Sequence, residues 1–226
     1  MAYSTLSETI LEEIRRDIIS GRLKPGTKID QNRLKKRLGV SVIPLREAFK
    51  RLEAEGYVDI IPHHGVHVKP LSREEIEDLY LIRAEIEALA ARLALVRLTD
   101  ADIKELKTLF AQMKQLTEAG AYEETLRVNR RFHYTIYRAC RRGYLLQMLD
   151  ELWLRSSRYR NLATVKPSRA KKALVEHRAI LQACIRRDVE ALVSAVKHNI
   201  EETRKMFESV LQPVGPENRQ PGEGKE

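Results

Sequence analysis

The sequence lacks the features that mark secreted, membrane-spanning and disulfide-stabilised proteins. Only two cysteines occur among 226 residues. Cys140 and Cys184 each lie within an apolar helical pattern, so we expect free thiols in a reducing cytoplasm. No apolar run approaches the roughly 18 residues of a membrane-spanning helix, and the first residues lack the basic segment and apolar core of a signal peptide. These absences predict a cytoplasmic globular protein.

Short catalytic motifs are also missing. The sequence contains no H-E-x-x-H metal motif, no glycine-rich phosphate loop and no G-x-S-x-G nucleophile turn, and each of these places reactive groups at a fixed spacing. We therefore predict that the chain is not an enzyme. A metal-dependent enzyme that acts on a small metabolite, built on the histidines described below, is the alternative.

Positive charge is present in excess and is unevenly distributed. The formal net charge is +9, and ten Lys or Arg stand against two acidic residues between Arg22 and Arg51. A concentrated positive field of this kind favours an anionic partner such as nucleic acid. The chain length allows two domains, one of them small.

The first 70 residues show the signals of short helices followed by two strands. A helix is predicted to begin after Thr5 and to stop at Gly21, a second to be capped by Asp30 and ended by Gly39, and a third to end at Gly56. The segments YVDII and GVHVKP then alternate like two paired strands. We predict a winged helix-turn-helix domain over residues 1–70.

Residues 71–211 show only helical periodicity. Ser72 and Thr99 begin two long helices, and further helical patterns cover about residues 121–141, 144–162, 168–187 and 189–210. Short connections favour an antiparallel bundle. Residues 212–226, rich in proline, glycine and charge, are predicted to be a disordered tail. The expected fold is mainly α, with an N-terminal winged helix-turn-helix followed by an all-α antiparallel bundle.

The segment VSVIPLREAFKRLEAEGYV, residues 40–58, has two distinct faces. In a helix-turn-helix protein the second helix enters the major groove and reads base edges near its N-terminus. A solvated amphipathic helix is the alternative. If the helix binds DNA, Ser41 caps it and can contact phosphate, and the outward side chains are those of Val42, Ile43, Arg46 and Lys50.

The segment PGTKIDQNRLKKRLGVSVIPLREAFKRLEAEGYV, followed by HHGVHV, resembles the winged helix-turn-helix of GntR-type bacterial transcription regulators over nearly all of residues 5–70. The resemblance implies that Arg33 and Arg46 hold phosphate or base and that the wing tip, His64 and Gly65, meets the minor groove. The family segment usually reads Ser-Arg-Thr-Pro-Val-Arg-Glu-Ala, whereas Val42 here offers only apolar contact, for instance to a thymine methyl. The DNA sequence that a relative recognises therefore does not predict the operator sequence of this chain.

Histidines recur in the helical half at positions 133, 177 and 198. Asn129 lies one helical turn before His133 and shares its face. Converging neutral imidazoles suit Zn²⁺ or Ni²⁺, although hydrogen-bonded core histidines are the alternative. His198 lies on the flank of its apolar stripe, so its inward orientation is less secure than that of His177.

The pattern Asn129-x-x-Phe132-His133, then Glu176-His177, then His198 resembles the ligand pattern of the FCD effector domain, over about residues 72–210 and in its six-helix, VanR-like form. The resemblance implies a divalent metal, zinc or nickel, held by Asn129, His133, His177 and His198. It also implies a small carboxylate or other anionic effector beside Arg83, for which a solvent-facing pairing with Glu87 is the alternative. Many members have Asp where Asn129 stands, and an amide oxygen is the weaker ligand.

These interpretations predict a homodimeric transcription regulator, by default a repressor, whose affinity for a palindromic double-stranded DNA operator responds to the effector. No membrane partner is expected. The remaining alternative is a DNA-binding protein whose helical half only dimerises, with structural histidines.

Overall fold

The computed structural model describes residues 6–70, 72–163 and 167–211. The predicted disordered tail, residues 212–226, lies outside the described residues. The N-terminal part consists of three helices and a two-stranded antiparallel sheet: α1 (Leu6–Ile19), α2 (Gln31–Leu38), α3 (Val42–Ala54), β1 (Val58–Ile61) and β2 (Gly65–Val68).

Local sequence signals set the ends of these helices. The Asp30 carboxylate accepts hydrogen bonds from the backbone amides of Asn32 and Arg33, which satisfies two amides in the first turn of α2. Gly39 ends α2 in the left-handed conformation, at φ 66°, which glycine adopts without steric cost. The connection to α3 is therefore as short as a helix-turn-helix requires.

The two strands form the predicted hairpin. Val58 pairs with Val68 and Ile61 pairs with Gly65 in an antiparallel register. Helix α3 packs against α1 on one side and against β1 on the other, because one helical face and alternate strand residues are apolar. This first core consists mainly of Ile10, Leu11, Ile14, Ile29, Leu34, Leu45, Phe49, Leu52, Tyr57, Val66 and Val68.

The remaining described residues form a helical bundle. Its elements are α4 (Arg73–Leu95), α5 (Asp100–Glu118), α6 (Tyr122–Tyr137), a 3₁₀ turn (Arg138–Cys140), α7 (Gly143–Ala163), α8 (Pro167–Arg186) and α9 (Val189–Leu211). The Ser72 side chain caps α4, and Thr99 with Asp102 forms the predicted capping box of α5. The mainly α architecture predicted from the sequence is confirmed.

A second core fills the bundle. Helix α4 packs along α9, and α5 lies against α6 and α8. Cys140 and Cys184 are buried in this core as free thiols, as the sequence predicted, and burial raises the pKa of the Cys184 thiol to about 12. Within the described ranges, no helix is long and apolar enough to cross a membrane.

Candidate functional site

The first turns of α3 present an exposed surface of mixed chemistry. Leu45 and Phe49 are buried on the inner face, and this fixes the opposite face toward solvent. Val42 and Ile43 are 48% and 72% exposed, which is unusual for large apolar side chains and indicates a surface that meets a partner. Ser41 precedes the helix but makes no side-chain capping hydrogen bond. The exposed basic residues on this helix include Arg46 and Lys50.

The wing tip and α2 supply the other predicted contacts. His64 is exposed, and Gly65 lies at φ 96°. The positive φ favours glycine at this turn, and Cε of Lys28 lies close enough that a Cβ added at Gly65 would be 3.1 Å from it. Arg33 is exposed on α2. The sequence interpretation did not single out Lys28, although its position before the capped helix could have suggested it.

Two of the basic residues between Arg22 and Arg51 are paired with a buried carboxylate rather than available for DNA. The buried carboxylate of Asp17 on α1 bonds Arg22 through Oδ1 at 2.7 Å and Arg37 through Oδ2. Because Arg37 lies on α2, this buried acid ties the first helix to the second. These two arginines therefore have a structural role in positioning the helix-turn-helix.

A cavity of about 90 Å³ lies inside the helical bundle. Four of the predicted site residues contribute to its wall: Arg83 from α4, Asn129 and His133 from α6, and His177 from α8. The sequence analysis missed several other lining residues, among them Thr117, Trp153, Arg169, Asn199 and Thr203.

Two imidazoles meet at the cavity wall. Nε2 of His133 lies 3.0 Å from Nε2 of His177, and Nδ1 of His177 lies 2.6 Å from the carbonyl oxygen of Ala173. Since a carbonyl only accepts, His177 carries its proton on Nδ1 and its Nε2 is an acceptor, while Nδ1 of His133 lies 3.3 Å from the hydroxyl oxygen of Tyr137. Burial lowers the pKa of His177 to about 4, so this ring is neutral near pH 7.

Arg83 is buried beside the imidazoles rather than facing solvent. Its Nε and Nη2 donate to Oε1 of Glu87 at 2.8 and 2.7 Å, and the hydroxyl of Tyr137 donates to Oε2 of the same carboxylate at 2.7 Å. The guanidinium carbon lies 4.8 Å from the ring centroid of Tyr80 and 5.2 Å from that of Trp153. Burial by itself lowers the pKa of Arg83, but the attraction of Glu87 outweighs it and the pKa is raised.

The opposite wall carries a second buried ion pair. Arg169 donates to both oxygens of Glu176 at 2.9 and 3.0 Å and also to the hydroxyl of Thr203. The amide of Asn199 donates to Oε2 of Glu176 at 2.6 Å. Such bidentate contacts hold a guanidinium in a fixed plane. Helices α8 and α9 are thereby joined at the cavity.

The prediction for His198 requires correction. His198 is exposed, whereas its neighbour Asn199 is 8% exposed and lines the cavity. The buried face of α9 is set by Leu192, Val196 and Ile200, and a step of about 100° per residue places position 198 on the other half of the helix. The spacing of these apolar residues was the signal that could have identified Asn199.

The residues at the cavity do not fit a metal site of the predicted kind. Only two imidazoles converge, and the other two predicted ligand positions are an amide, Asn129, and an outward-facing histidine. Protein zinc sites use at least three ligands drawn from histidine, cysteine and carboxylate. Within the described residues, no group of three such side chains could hold a metal ion.

Comparisons with known proteins agree with this architecture. The family model described as bacterial regulatory proteins, gntR family, matches residues 6–68, and the FCD domain model matches residues 78–202. The HTH-type transcriptional regulator McbR of Escherichia coli K12 is 30% identical over 155 residues, which are 69% of this chain and 70% of that protein. The HTH-type transcriptional repressor GlaR of the same organism is 34% identical over 152 residues, 65% of this chain and 69% of that protein.

Solved structures show the same fold. The structure described as E. coli McbR/YncC has a TM-score of 0.73 at 24% sequence identity and covers 92% of this chain and 100% of its own. A GntR transcriptional regulator structure from Rhodococcus has a TM-score of 0.70 at 17% identity, with coverage of 92% and 100%. The family and its relatives are transcription regulators, which confirms the prediction that the chain is not an enzyme. The chain belongs to the GntR family of DNA-binding transcription regulators, in the branch that carries an FCD domain.

Proposed function

We propose that this regulator is a repressor whose affinity for its operator changes when a small effector enters the bundle cavity. Residues 1–70 form the DNA-binding domain, and residues 71–211 form the domain that binds the effector and dimerises. The observation that carries the proposal is a cavity lined by buried polar groups in the same chain as a winged helix-turn-helix. The repressor assignment is supported by the similarity to GlaR, which is named a repressor.

DNA contact is assigned to two exposed surfaces. The first turns of α3 supply Val42 and Ile43 for base edges and the exposed cations for phosphate or guanine. The wing supplies His64 and Gly65 for the minor groove. The contact set comprises Arg33, Ser41, Val42, Ile43, Arg46, Lys50, His64 and Gly65.

Replacement of Arg46 tests this surface. Arg46 is exposed and no ion pair to it is recorded within the described residues, so Arg46→Ala should leave the fold intact. We expect the dissociation constant for a duplex selected from a random library to rise by about 5- to 150-fold, the equivalent of one lost contact. Arg127→Ala, an exposed arginine on α6, is the control. Equal affinity of the Arg46 variant and the wild type would refute the placement of the recognition helix.

Helix α4 provides a physical route from the cavity to the wing. Arg83 lines the cavity on this helix, and Glu75, in its first turn, accepts a hydrogen bond from Nζ of Lys69 at 2.7 Å. Lys69 directly follows β2. An effector in the cavity that Arg83 lines can therefore bias the position of the wing through α4, provided that its affinity differs between the two arrangements.

The sequence predicted a divalent metal and a carboxylate effector, and the binding of each can be measured. Metal content of the purified protein and its thermal unfolding with small acids, before and after chelation, address them directly. Ligand-induced stabilisation that also weakens operator binding supports the regulatory proposal. Stabilisation without any effect on operator binding would separate the cavity from DNA control.

A homodimer on a palindromic operator is proposed because one winged domain makes few contacts. Helix α4 exposes Ile82 and Leu89, and its C-cap residue Val96 continues this seven-residue spacing, with 49%, 45% and 77% of their surface accessible. Leu81, 66% exposed, extends this apolar stripe. A seven-residue apolar repeat is the pattern by which one helix pairs with another, so we assign the α4 stripe to contact with a second copy.

A further inference from the structure

The two cationic groups at the cavity are neutralised by the protein itself. Glu87 occupies two donors of Arg83, and Glu176 accepts two hydrogen bonds from Arg169. All four side chains are at most 12% exposed. The charge of each arginine is therefore already paired with a protein carboxylate, and Nε of Arg169 is left as a buried N–H without a hydrogen-bond partner among the described residues, able to donate to a ligand oxygen.

The imidazole pair offers a metal ion only two nitrogen ligands. Nε2 of His133 lies 3.0 Å from Nε2 of His177, and Nδ1 of His133 lies 3.3 Å from the hydroxyl oxygen of Tyr137. Two imidazoles are fewer than the three or four protein ligands of a zinc site.

The rest of the polar wall consists of uncharged groups. Amides occur at Asn129 and Asn199, and neither supplies the carboxylate or the third imidazole that would complete a zinc site with the two histidines. The hydroxyl of Thr117 lines the cavity, is 7% exposed and has no hydrogen-bond partner. A buried hydroxyl without a partner is unfavourable, so a ligand that hydrogen-bonds to Thr117 would gain from satisfying it.

We propose that the cavity binds an uncharged, amide- or hydroxyl-bearing effector directly, without a metal. The inference rests on the proposed effector-controlled function and changes the class of effector. A cavity of about 90 Å³ holds roughly six to nine water-sized spheres at about 10–15 Å³ each, and this sets the size of the ligand to a similar number of non-hydrogen atoms. Asn199, Asn129 and Thr117 supply donors and acceptors for its polar end, and Met113, Leu174 and Ile200 line the apolar part.

Metal titration by calorimetry tests the first half of the proposal, with Zn²⁺ and Ni²⁺ as the probes. We expect no stoichiometric binding to the chelator-treated wild-type chain. The double variant Asn129→Asp with Asn199→His restores the missing carboxylate and imidazole, and we expect it to bind one ion per chain. One tightly bound ion per wild-type chain would overturn the proposal. Failure of the double variant to bind metal would overturn the claim that the amides at positions 129 and 199 are what prevents the wild-type chain from binding it.

Fluorescence of Trp153, the single tryptophan of the chain, tests the class of ligand because its ring lines the cavity. The probes are matched pairs of equal size, lactamide with lactate and benzamide with benzoate. We expect each amide to bind at least about tenfold more tightly than its carboxylate, and Thr117→Val, which removes only the hydroxyl, to weaken the amides selectively. Tighter binding of the carboxylates would overturn this inference and leave the regulatory proposal intact. Binding of neither set would refute both proposals.

Discussion

Replacement of Glu87 by glutamine gives the sharpest test of the buried network. Glu87 is fully buried and Arg83 is 4% exposed. The substitution keeps the shape of the side chain and an oxygen for the Tyr137 hydroxyl but removes the negative charge. Arg83 then remains as a buried cation without its counter-ion. Breaking a buried pair in this way costs about 3–5 kcal/mol of unfolding free energy.

Thermal unfolding followed by circular dichroism measures this loss. For a domain of this size, about 2–4 °C of melting temperature corresponds to each kcal/mol, so we expect the midpoint to fall by roughly 6–20 °C. Glu85→Gln is the matched control, since Glu85 lies on the same helix and pairs with Lys197 at 2.6 Å on the surface. Exposed pairs contribute at most about 1 kcal/mol.

A second variant separates charge burial from packing. Arg83→Met combined with Glu87→Gln removes both charges, and we expect it to be more stable than Glu87→Gln alone because no uncompensated cation remains. If Glu87→Gln and Glu85→Gln lose the same small amount of unfolding free energy, water reaches Arg83. The description of the Arg83–Glu87 pair as sealed from solvent is then wrong.

Three further predictions concern pH, the helix-turn-helix and assembly. The buried His177, whose folded pKa is about 4, binds a proton less readily than the unfolded chain with a pKa near 6.5, so stability is full above pH 6.5 and is lost as pH falls toward 4. Wild type should lose about 2 kcal/mol more than His177→Gln between pH 7 and 5 in urea titrations, and parallel profiles would contradict this. Asp17→Asn removes the charge that holds two arginines, and we expect a loss of about 1–3 kcal/mol in stability with weaker operator binding; unchanged binding by fluorescence anisotropy would argue against a positioning role. Leu89→Glu should convert a species of twice 26.1 kDa to the monomer in sedimentation velocity, whereas Val175→Glu, on an exposed site of α8, should not; a dimeric Leu89 variant would exclude the α4 stripe as the interface.

Local signals were sufficient to predict most elements of the fold. The caps at Asp30, Ser72 and Thr99 and the left-handed Gly39 lie where the sequence places them, because capping depends on residues within one turn. The outward position of Val42 and Arg46 follows in the same way from the buried stripe of α3.

The cavity depended on relations between distant segments. Sequence spacing brought Asn129 and His133 to one face and allowed the pairing of Arg83 with Glu87, but it could not show that this pair and the Arg169–Glu176 pair are buried at one cavity. His198 was chosen by residue type, whereas the helical phase set by Val196 and Ile200 directs Asn199 inward.

The sequence by itself determined the family, the winged helix-turn-helix, the all-helical second half and the exposed surface of α3, because these depend on motifs, periodicity and caps that act over a few residues. Only the tertiary structure decided which polar side chains share the cavity and how deeply their charges are buried. Burial and the contacts of Tyr137 with Glu87, Asn199 with Glu176 and His133 with His177 join helices far apart in the chain, and they leave a cavity of paired charges, two adjacent imidazoles and uncharged amides.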